Sequence, residues 1–323
     1  MAPFKSSLAR SATKLFGVFR DRDLSLRGFK SESRVPPPPF SASGGTKTTS
    51  GDQTIHTFSF PNSDNLVTSG SPSTDVKILV IGGGGGGGGT GYSSWYGGGG
   101  GAGGYVYATG VTLDGSGTTY NITVGDKGVA QDTNNGGDGG DSIFGSNVPT
   151  ATKLTAKGGG GGGIGDFPST HPDAAGRPGG SGGGSGSHYS PPSTAGGTAT
   201  QPGENGSFTA GTLVANVGYA GGAEPGGNSG DGVGGGGGGA GGVGLVGTAP
   251  SNPERSAGGP GVPNSITGSD VTYCQGGRSH PLGGDAPAPL STAGSGGNGV
   301  DRGVGVQPNS PGIEGIVIVS YPT

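Results

Sequence analysis

Cysteine is nearly absent from this chain: Cys274 stands alone, which excludes an internal disulfide framework. A single thiol in a glycine-rich turn region reads as passive rather than catalytic. Aromatic residues make up 6% and all hydrophobic residues 28% of the chain. That is too sparse for two conventional cores, although 323 residues would have room for two domains. No apolar run approaches the ~20 residues of a membrane span, so none is expected. The histidines His56, His171, His188 and His280 lie far apart, without metal-ligand spacing, and neither Cys-x-x-Cys nor His-Glu-x-x-His occurs. No spacing nominates a nucleophile and base. An enzyme is therefore not expected, nor a cofactor, nor a metal site.

What the chain has instead is glycine. There are 84 Gly and 25 Pro, about a third of all residues against an ordinary usage of roughly an eighth. Collagen needs Gly at every third position; here the runs are unbroken, as in Gly82 to Gly89, Gly158 to Gly163 and Gly234 to Gly239. Low-complexity disorder is the competing reading. Against it stand the aliphatic runs that abut the glycine blocks.

Charge divides the chain in two. The first 34 residues hold 8 of the 17 Lys and Arg and 3 of the 21 acids, a net of +5; the remainder holds 9 and 18, a net of −9. Within the basic part, Leu8, Leu15, Phe16 and Phe19 recur at helical spacing, with Arg10 and Arg20 among the intervening charges. Charges interrupt every stretch that could be a secretory signal core. A transit peptide fits the Ser and Arg content, but the segment is expected to be retained. A membrane-surface helix is one reading. A helical or extended docking arm that lays its apolar face on a partner protein is preferred. Residues 35–51, opening with Pro36 to Pro39, read as a stiff linker, and the glycine-rich body spans 52–323. An acidic body with one basic arm, lacking an aromatic-basic platform, argues against nucleic acid.

The body opens on Thr54 to Phe60, an alternating strand. Val76 to Ile81 reads as a buried strand running straight into eight glycines; Gly97 to Gly104 leads into Tyr105-Val106-Tyr107; Thr119 to Gly125 and Gly315 to Tyr321 are further strands. Between Gly158 and Gly299, glycine segments alternate with Pro, Ser and Asn loops. Polyglycine can adopt the extended three-fold helix of the polyproline type, without internal hydrogen bonds. Its bare faces let neighbours bond laterally, at roughly 0.5–1.5 kcal/mol per bond. Ordering each residue costs about 1–2 kcal/mol, so such a bundle balances near zero and needs strands to clamp its ends. The expected fold class is mostly β and irregular. Packed polyglycine type II helices are clamped by short β-strands, forming a brick with a β-base and loops at the far end.

Two motifs tempt. Gly82, Gly84 and Gly87 after a strand match G-x-G-x-x-G, but an all-glycine run satisfies any glycine spacing, and no helix follows to hold a pyrophosphate. Gly136 to Phe144 matches a single calcium-binding nonapeptide, which needs stacked repeats; a turn before a short strand is preferred. The enriched cluster is Tyr92, Ser93, Ser94, Trp95 and Tyr96 between glycine blocks. Aromatics on a tight loop suit surface recognition, and packing against their own neighbours is the alternative. Phe167, His188 and Tyr189, on Pro-flanked loops, are weaker candidates.

His56-Thr57-Phe58, Ile78-Leu79-Val80-Ile81 running into polyglycine, Gly99 to Tyr105, Tyr120 to Gly125 and Gly315 to Pro322 resemble the glycine-rich domain of bacteriophage tail adhesins and other virion proteins. The resemblance implies a sandwich of polyglycine helices whose distal loops contact a host-surface protein or glycan. It places the protein in the virion, at the tail fibre, tail or capsid surface, with no counterpart for residues 1–50. The expected function is a tail-fibre or tail-tip adhesin anchored to other virion proteins through residues 1–34, homo-oligomeric on the particle. The alternative is a capsid, neck or tail fitting without receptor binding. A domain of the same general type also occurs in some animal receptor kinases, so the fold alone does not decide function.

Overall fold

The structure, a computed structural model, describes residues 36–61, 64–90, 96–165, 174–187, 193–225, 233–247, 257–279, 290–300 and 309–323. The chain divides into residues 1–39 and a compact unit of 40–323. The anchoring residues expected at Leu8, Arg10, Leu15, Phe16, Phe19 and Arg20 lie outside the described residues. No α-helix occurs among those described, and apart from a 3-10 turn at Gln201–Gly203 the unit is built of β-strands, extended segments and turns.

Thirteen strands follow in order: β1 (Ser41–Ser43), β2 (Thr46–Ser50), β3 (Gln53–Ser59), β4 (Asp64–Ser69), β5 (Ser73–Ile81), β6 (Tyr105–Leu113), β7 (Thr119–Thr123), β8 (Ser142–Phe144), β9 (Leu154–Ala156), β10 (Thr212–Val217), β11 (Val262–Asn264), β12 (Val271–Tyr273) and β13 (Ile316–Pro322). They form a six-stranded sheet in the order β10-β6-β5-β13-β3-β2, a five-stranded sheet β1-β4-β7-β8-β9 and a ribbon β11-β12. Strand pairing is antiparallel throughout.

Alternation on the central strands explains the layering, because successive side chains point to opposite faces. Ile78, Val80, Val317 and Val319 join the cluster that includes Leu66, Tyr120, Ile122, Phe144 and Leu154 of the five-stranded sheet. Leu79, Ile81 and Ile318 turn the other way and pack with Tyr105, Cys274 and Tyr273 beneath the ribbon. Both faces of β5 and β13 are therefore buried, which is why these strands read as unbroken aliphatic runs. Asn264 Nδ2 donates to Tyr105 Oη at 2.7 Å and fastens the ribbon. Burial pushes the Tyr105 hydroxyl up to about 12, against the opposing effect of that hydrogen bond.

Three differences from the sequence reading stand out. Residues 40–50, assigned to the linker, are folded: β1 pairs with β4 in one sheet and β2 with β3 in the other. The turn between them uses Gly44 and Gly45 at positive φ, and a Cβ at Gly44 would lie 1.9 Å from the Asn65 carbonyl oxygen. The strand at Tyr105 continues to Leu113, and β10 to β12 fall inside a stretch read as glycine segments and loops. The free edge at β9 is closed by side chains. Asn205, itself at φ 62°, accepts from Thr155 N–H through Oδ1 at 2.7 Å and donates to the Thr155 carbonyl at 2.8 Å, as a neighbouring strand would.

From the strand ends the chain makes repeated glycine excursions, and their bonding has a three-residue period. In the segment 82–89, the N–H groups of Gly83, Gly86 and Gly89 donate to the carbonyls of Gly140, Gly137 and Asn134. Those of Gly84 and Gly87 donate to Ile313 and Ser310, and those of Gly82, Gly85 and Gly88 to Gly104, Gly101 and Gly98. Its carbonyls accept from Gly159, Gly162 and Gly165 on one side, Gly128 on another, and Gly297 and Val300 on a third. One segment thus serves neighbours in six directions. A Cβ on any residue from Gly82 to Gly89 would sit 1.8 to 2.2 Å from a neighbouring carbonyl oxygen, so the close approach itself requires glycine. Ala102 is the exception within 97–104: it lies at the sheet end, fully buried in the apolar cluster under the ribbon.

Candidate functional site

Register identifies one end of the glycine excursions, remote from the sheets, where the described segments terminate together. Thr90 N–H donates to the Asp132 carbonyl and Gly165 N–H to the Gly89 carbonyl, both at 2.9 Å. Tyr96 and Ser187 are joined twice: Ser187 N–H donates to the Tyr96 carbonyl at 2.8 Å, and Tyr96 N–H donates to Ser187 Oγ at 2.7 Å. Thr194 and Glu224 exchange backbone bonds at 3.0 Å, Gly247 N–H donates to Ala223, and Gly97 N–H donates to Val300. Ser279 Oγ donates to the Gly97 carbonyl at 2.8 Å. The end is therefore a rigid platform held by its own backbone, with Ile164, Val233 and Val300 buried beneath it.

Of the expected recognition residues, Tyr96 is described, half-buried at this platform. Tyr92, Trp95, Phe167, His188 and Tyr189 lie outside the described residues. Their described flanks are neighbours all the same. Gly165 lies so close to Tyr96 that a Cβ on it would be 2.6 Å from the Tyr96 carbonyl oxygen, and Ser187 bonds Tyr96 directly. Tyr96 thus lies beside a residue 69 positions and another 91 positions further along the chain. The exposed turn Asp132-Thr133-Asn134 lies at the same end. Sequence reading did not single it out, although its cluster of turn-forming residues marked it as a tight reversal.

The motif readings are settled by where the polar groups go. The amides of Gly82, Gly84 and Gly87 are all spent on Gly104, Ile313 and Ser310, so none is left to meet a phosphate. Asn135, Asp138 and Asp141, three residues apart, use one side-chain oxygen each to accept from Ile164, Gly161 and Gly158 N–H at 2.7, 2.9 and 2.8 Å. Asp138 Oδ2 takes Arg177 and Asp141 Oδ2 takes Lys157, each at 2.7 Å. The repeat matches the period of the segments and closes an outer face of the bundle. Among the described residues no group of three or more His, Cys, Asp or Glu could hold a metal ion. Cys274 is fully buried, and that burial alone drives its thiol far above the ordinary range, which keeps it protonated and unreactive. No helix among the described residues is long and apolar enough to cross a membrane.

A β-sandwich that feeds its strand ends into a laterally bonded glycine bundle defines a glycine-rich structural domain. The chain belongs to the glycine-rich domain family, whose sequence pattern matches residues 62–322. The match begins after β3, although β1 to β3 are integral to the two sheets. No curated protein matches the chain.

Proposed function

We propose that this protein is a non-enzymatic virion component of the tail-fibre or tail-tip adhesin type. Its glycine segments are three-fold polyglycine type II helices, and the bundle end remote from the sheets contacts a protein or glycan on the host surface. Support for the helix assignment is the three-residue rotation of hydrogen bonds along 82–89, the repeat of that helix. At ~3.1 Å per residue, eight residues carry the platform about 25 Å from the strands.

The observation that carries the binding reading is the convergence at Tyr96, Gly165 and Ser187. The sequence stretches 91–95, 166–173 and 188–192, which hold Tyr92, Trp95, Phe167, His188 and Tyr189, adjoin these three residues along the chain. Aromatic anchors on a pre-ordered scaffold bind at low entropic cost. Residues 1–34, with their net positive charge, anchor the body to other virion proteins.

The test is a gold-labelled antibody against residues 40–323 on intact particles, combined with attachment by Trp95→Ala particles. Label at the tail tip or fibre ends, with normal assembly and lost attachment in the variant, is expected. Label over the capsid or neck would make the protein a fitting without receptor binding. Particles that carry no label would overturn the virion assignment.

A further inference from the structure

Lys77 interrupts the aliphatic run of β5 on the face that the ribbon covers. Side chains alternate along a strand, so Lys77 shares a face with Leu79 and Ile81, which pack beneath β11 and β12. Register places it opposite Ser320 of β13, and Ser320 opposite Ile55 of β3. Tyr107, opposite Leu79 on β6, packs against the same apolar cluster. Lys77, Tyr107, Ser320 and Ile55 line a recess of about 90 Å³ whose remaining wall includes the ribbon turn at 265–268. Ser320 and Ile55, 1% and 2% exposed, are its most buried residues.

The ribbon wall is held by its own bonds. Asn264 Oδ1 accepts from Ile266 N–H at 2.8 Å, and Gly268 N–H donates to the Ser265 carbonyl at 2.9 Å. Gly268, at φ 94°, is seated so closely that a Cβ would lie 2.0 Å from Ser50 Oγ. The side-chain carbonyl of the recess is used internally. Gln53 Nε2 donates to the Asp52 carbonyl at 3.3 Å, which turns Oε1 toward Ser320, and the Ser320 hydroxyl donates to it at 3.2 Å. The two strong donors are not used. Neither the Lys77 ammonium nor the Tyr107 hydroxyl has a hydrogen bond or ion pair among the described residues, and no Asp or Glu lines the recess. Burial raises the Tyr107 pKa, so the hydroxyl keeps the proton it can donate.

We propose that this recess binds the carboxylate group of a small organic acid, free or carried on an acidic sugar, with Lys77 Nζ and Tyr107 Oη as its donors. An ammonium donates three hydrogen bonds and accepts none, so a half-buried one without a counter-ion calls for an acceptor that also carries negative charge. A carboxylate meets both needs, and bonds to it from charged donors are the stronger kind. Volume sets the size. About 90 Å³ is the room of about three water molecules at ~30 Å³ each, enough for a carboxylate and its adjoining carbon and too little for a sugar ring. The rest of a larger ligand therefore stays outside the recess. The site does not depend on what the far end of the bundle binds.

The test titrates the full chain, its isoleucine methyl groups isotopically labelled for NMR, with acetate, glucuronate and glucose at neutral pH and constant ionic strength. Saturable shifts of the Ile55 and Ile266 signals, with Ile143 on β8 of the other sheet unmoved, are expected from a carboxylate and not from glucose. Saturation by acetate, with or without glucuronate, identifies a site for the carboxylate group itself; saturation by glucuronate alone identifies a site for an acidic sugar. Lys77→Met is expected to abolish the shifts and Tyr107→Phe to weaken binding by at least about tenfold. Lys153→Met, which lies outside the recess, is expected to leave binding unchanged. Should Lys77→Met fail to fold, Tyr107→Phe decides alone. No saturable shift with either carboxylate, an equal response to glucose, or undiminished binding in the folded variants of Lys77 or Tyr107 overturns the inference.

Discussion

His56 and Tyr321 stack with ring centroids 5.7 Å apart and planes 19° from parallel, and they share a hydrogen bond of 3.2 Å between His56 Nε2 and the tyrosine oxygen. On its other side His56 Nδ1 lies 2.7 Å from the Gly44 carbonyl. A carbonyl can only accept, so Nδ1 carries the proton and the neutral ring accepts from Tyr321 at Nε2. The tyrosine oxygen in turn accepts from Ala42 N–H at 2.9 Å. Four residues of β1, the following turn, β3 and β13 are thereby joined across both sheets at the start of the folded unit.

The neutral imidazole is the form this network holds, and the His56 pKa is lowered, first by burial and further by Lys47, with the Gly44 carbonyl opposing. Above pH ~6.5 the ring is neutral whether folded or unfolded and contributes no pH dependence. As pH falls below that value the unfolded chain takes up a proton that the native chain refuses. Stability therefore declines, by at most about 1.4 kcal/mol per pH unit for one group, until the native pKa is passed. Urea unfolding of wild type and His56→Gln from pH 8 to pH 4.5 checks this. The variant is expected to lack that component of the acid slope, whatever its stability at pH 8.

Tyr321→Phe keeps the ring contacts, including the edge-on packing of Phe40 at 4.9 Å, and removes the one oxygen. Ala42 N–H and His56 Nε2 then lose their partner inside the protein. A loss of about 1–3 kcal/mol is expected, read as a lower urea midpoint with an unchanged slope. A midpoint equal to wild type would mean that water replaces the hydroxyl at no cost.

Legibility in the sequence followed local signal. Val76 to Ile81 and Ile316 to Tyr321 could be read as buried strands because both their faces are covered, and continuous aliphatic residues record that directly. β1 and β2 could not: Ser-Ala-Ser and Thr-Lys-Thr-Thr-Ser have no apolar alternation, and only Ala42 and Ser50 among them are other than exposed. Their place is fixed by the Gly44–Gly45 turn and the Tyr321 hydroxyl, both set by residues distant in sequence or by backbone conformation. At the candidate site, the aromatic cluster was visible as composition, whereas the juxtaposition of Tyr96, Gly165 and Ser187 arises from register between segments. Asp138 and Asp141 were visible inside Gly136 to Phe144, a stretch that matches one ion-binding nonapeptide and reads as a turn before a short strand, but their three-residue partnership with Asn135 along a neighbouring segment was not.

Glycine is required by proximity in one place and not in another. A Cβ at Gly87 would lie 1.8 Å from the Asn298 carbonyl oxygen, while one at Gly206 meets nothing within 4 Å. Gly87→Ala must push apart two backbone segments and break their lateral bonds, so a loss of at least about 1–3 kcal/mol is expected. Gly206→Ala is expected to be neutral or to stabilise by up to about 1 kcal/mol, through the unfolded state. Thermal melting of both variants decides it. Equal tolerance at the two positions would contradict the close packing of the bundle.

The ladder of Asn135, Asp138 and Asp141 separates two contributions that a single side chain combines. Asp138 accepts from the buried Gly161 N–H and pairs with Arg177, and the two charged side chains are 40% and 49% exposed. An ion pair so open to solvent contributes about 0–1 kcal/mol, whereas a buried amide left without an acceptor costs about 1–3 kcal/mol. Asp138→Asn keeps an oxygen for Gly161 and gives up the charge; Asp138→Ala gives up both. The asparagine variant is expected to stay within about 0.5 kcal/mol of wild type and to be insensitive to added salt, with the alanine variant lower by the cost of the orphaned amide. If the two variants fell equally, charge rather than amide satisfaction would be what holds this edge. The recurrence of acceptor side chains at every third position would then need another cause.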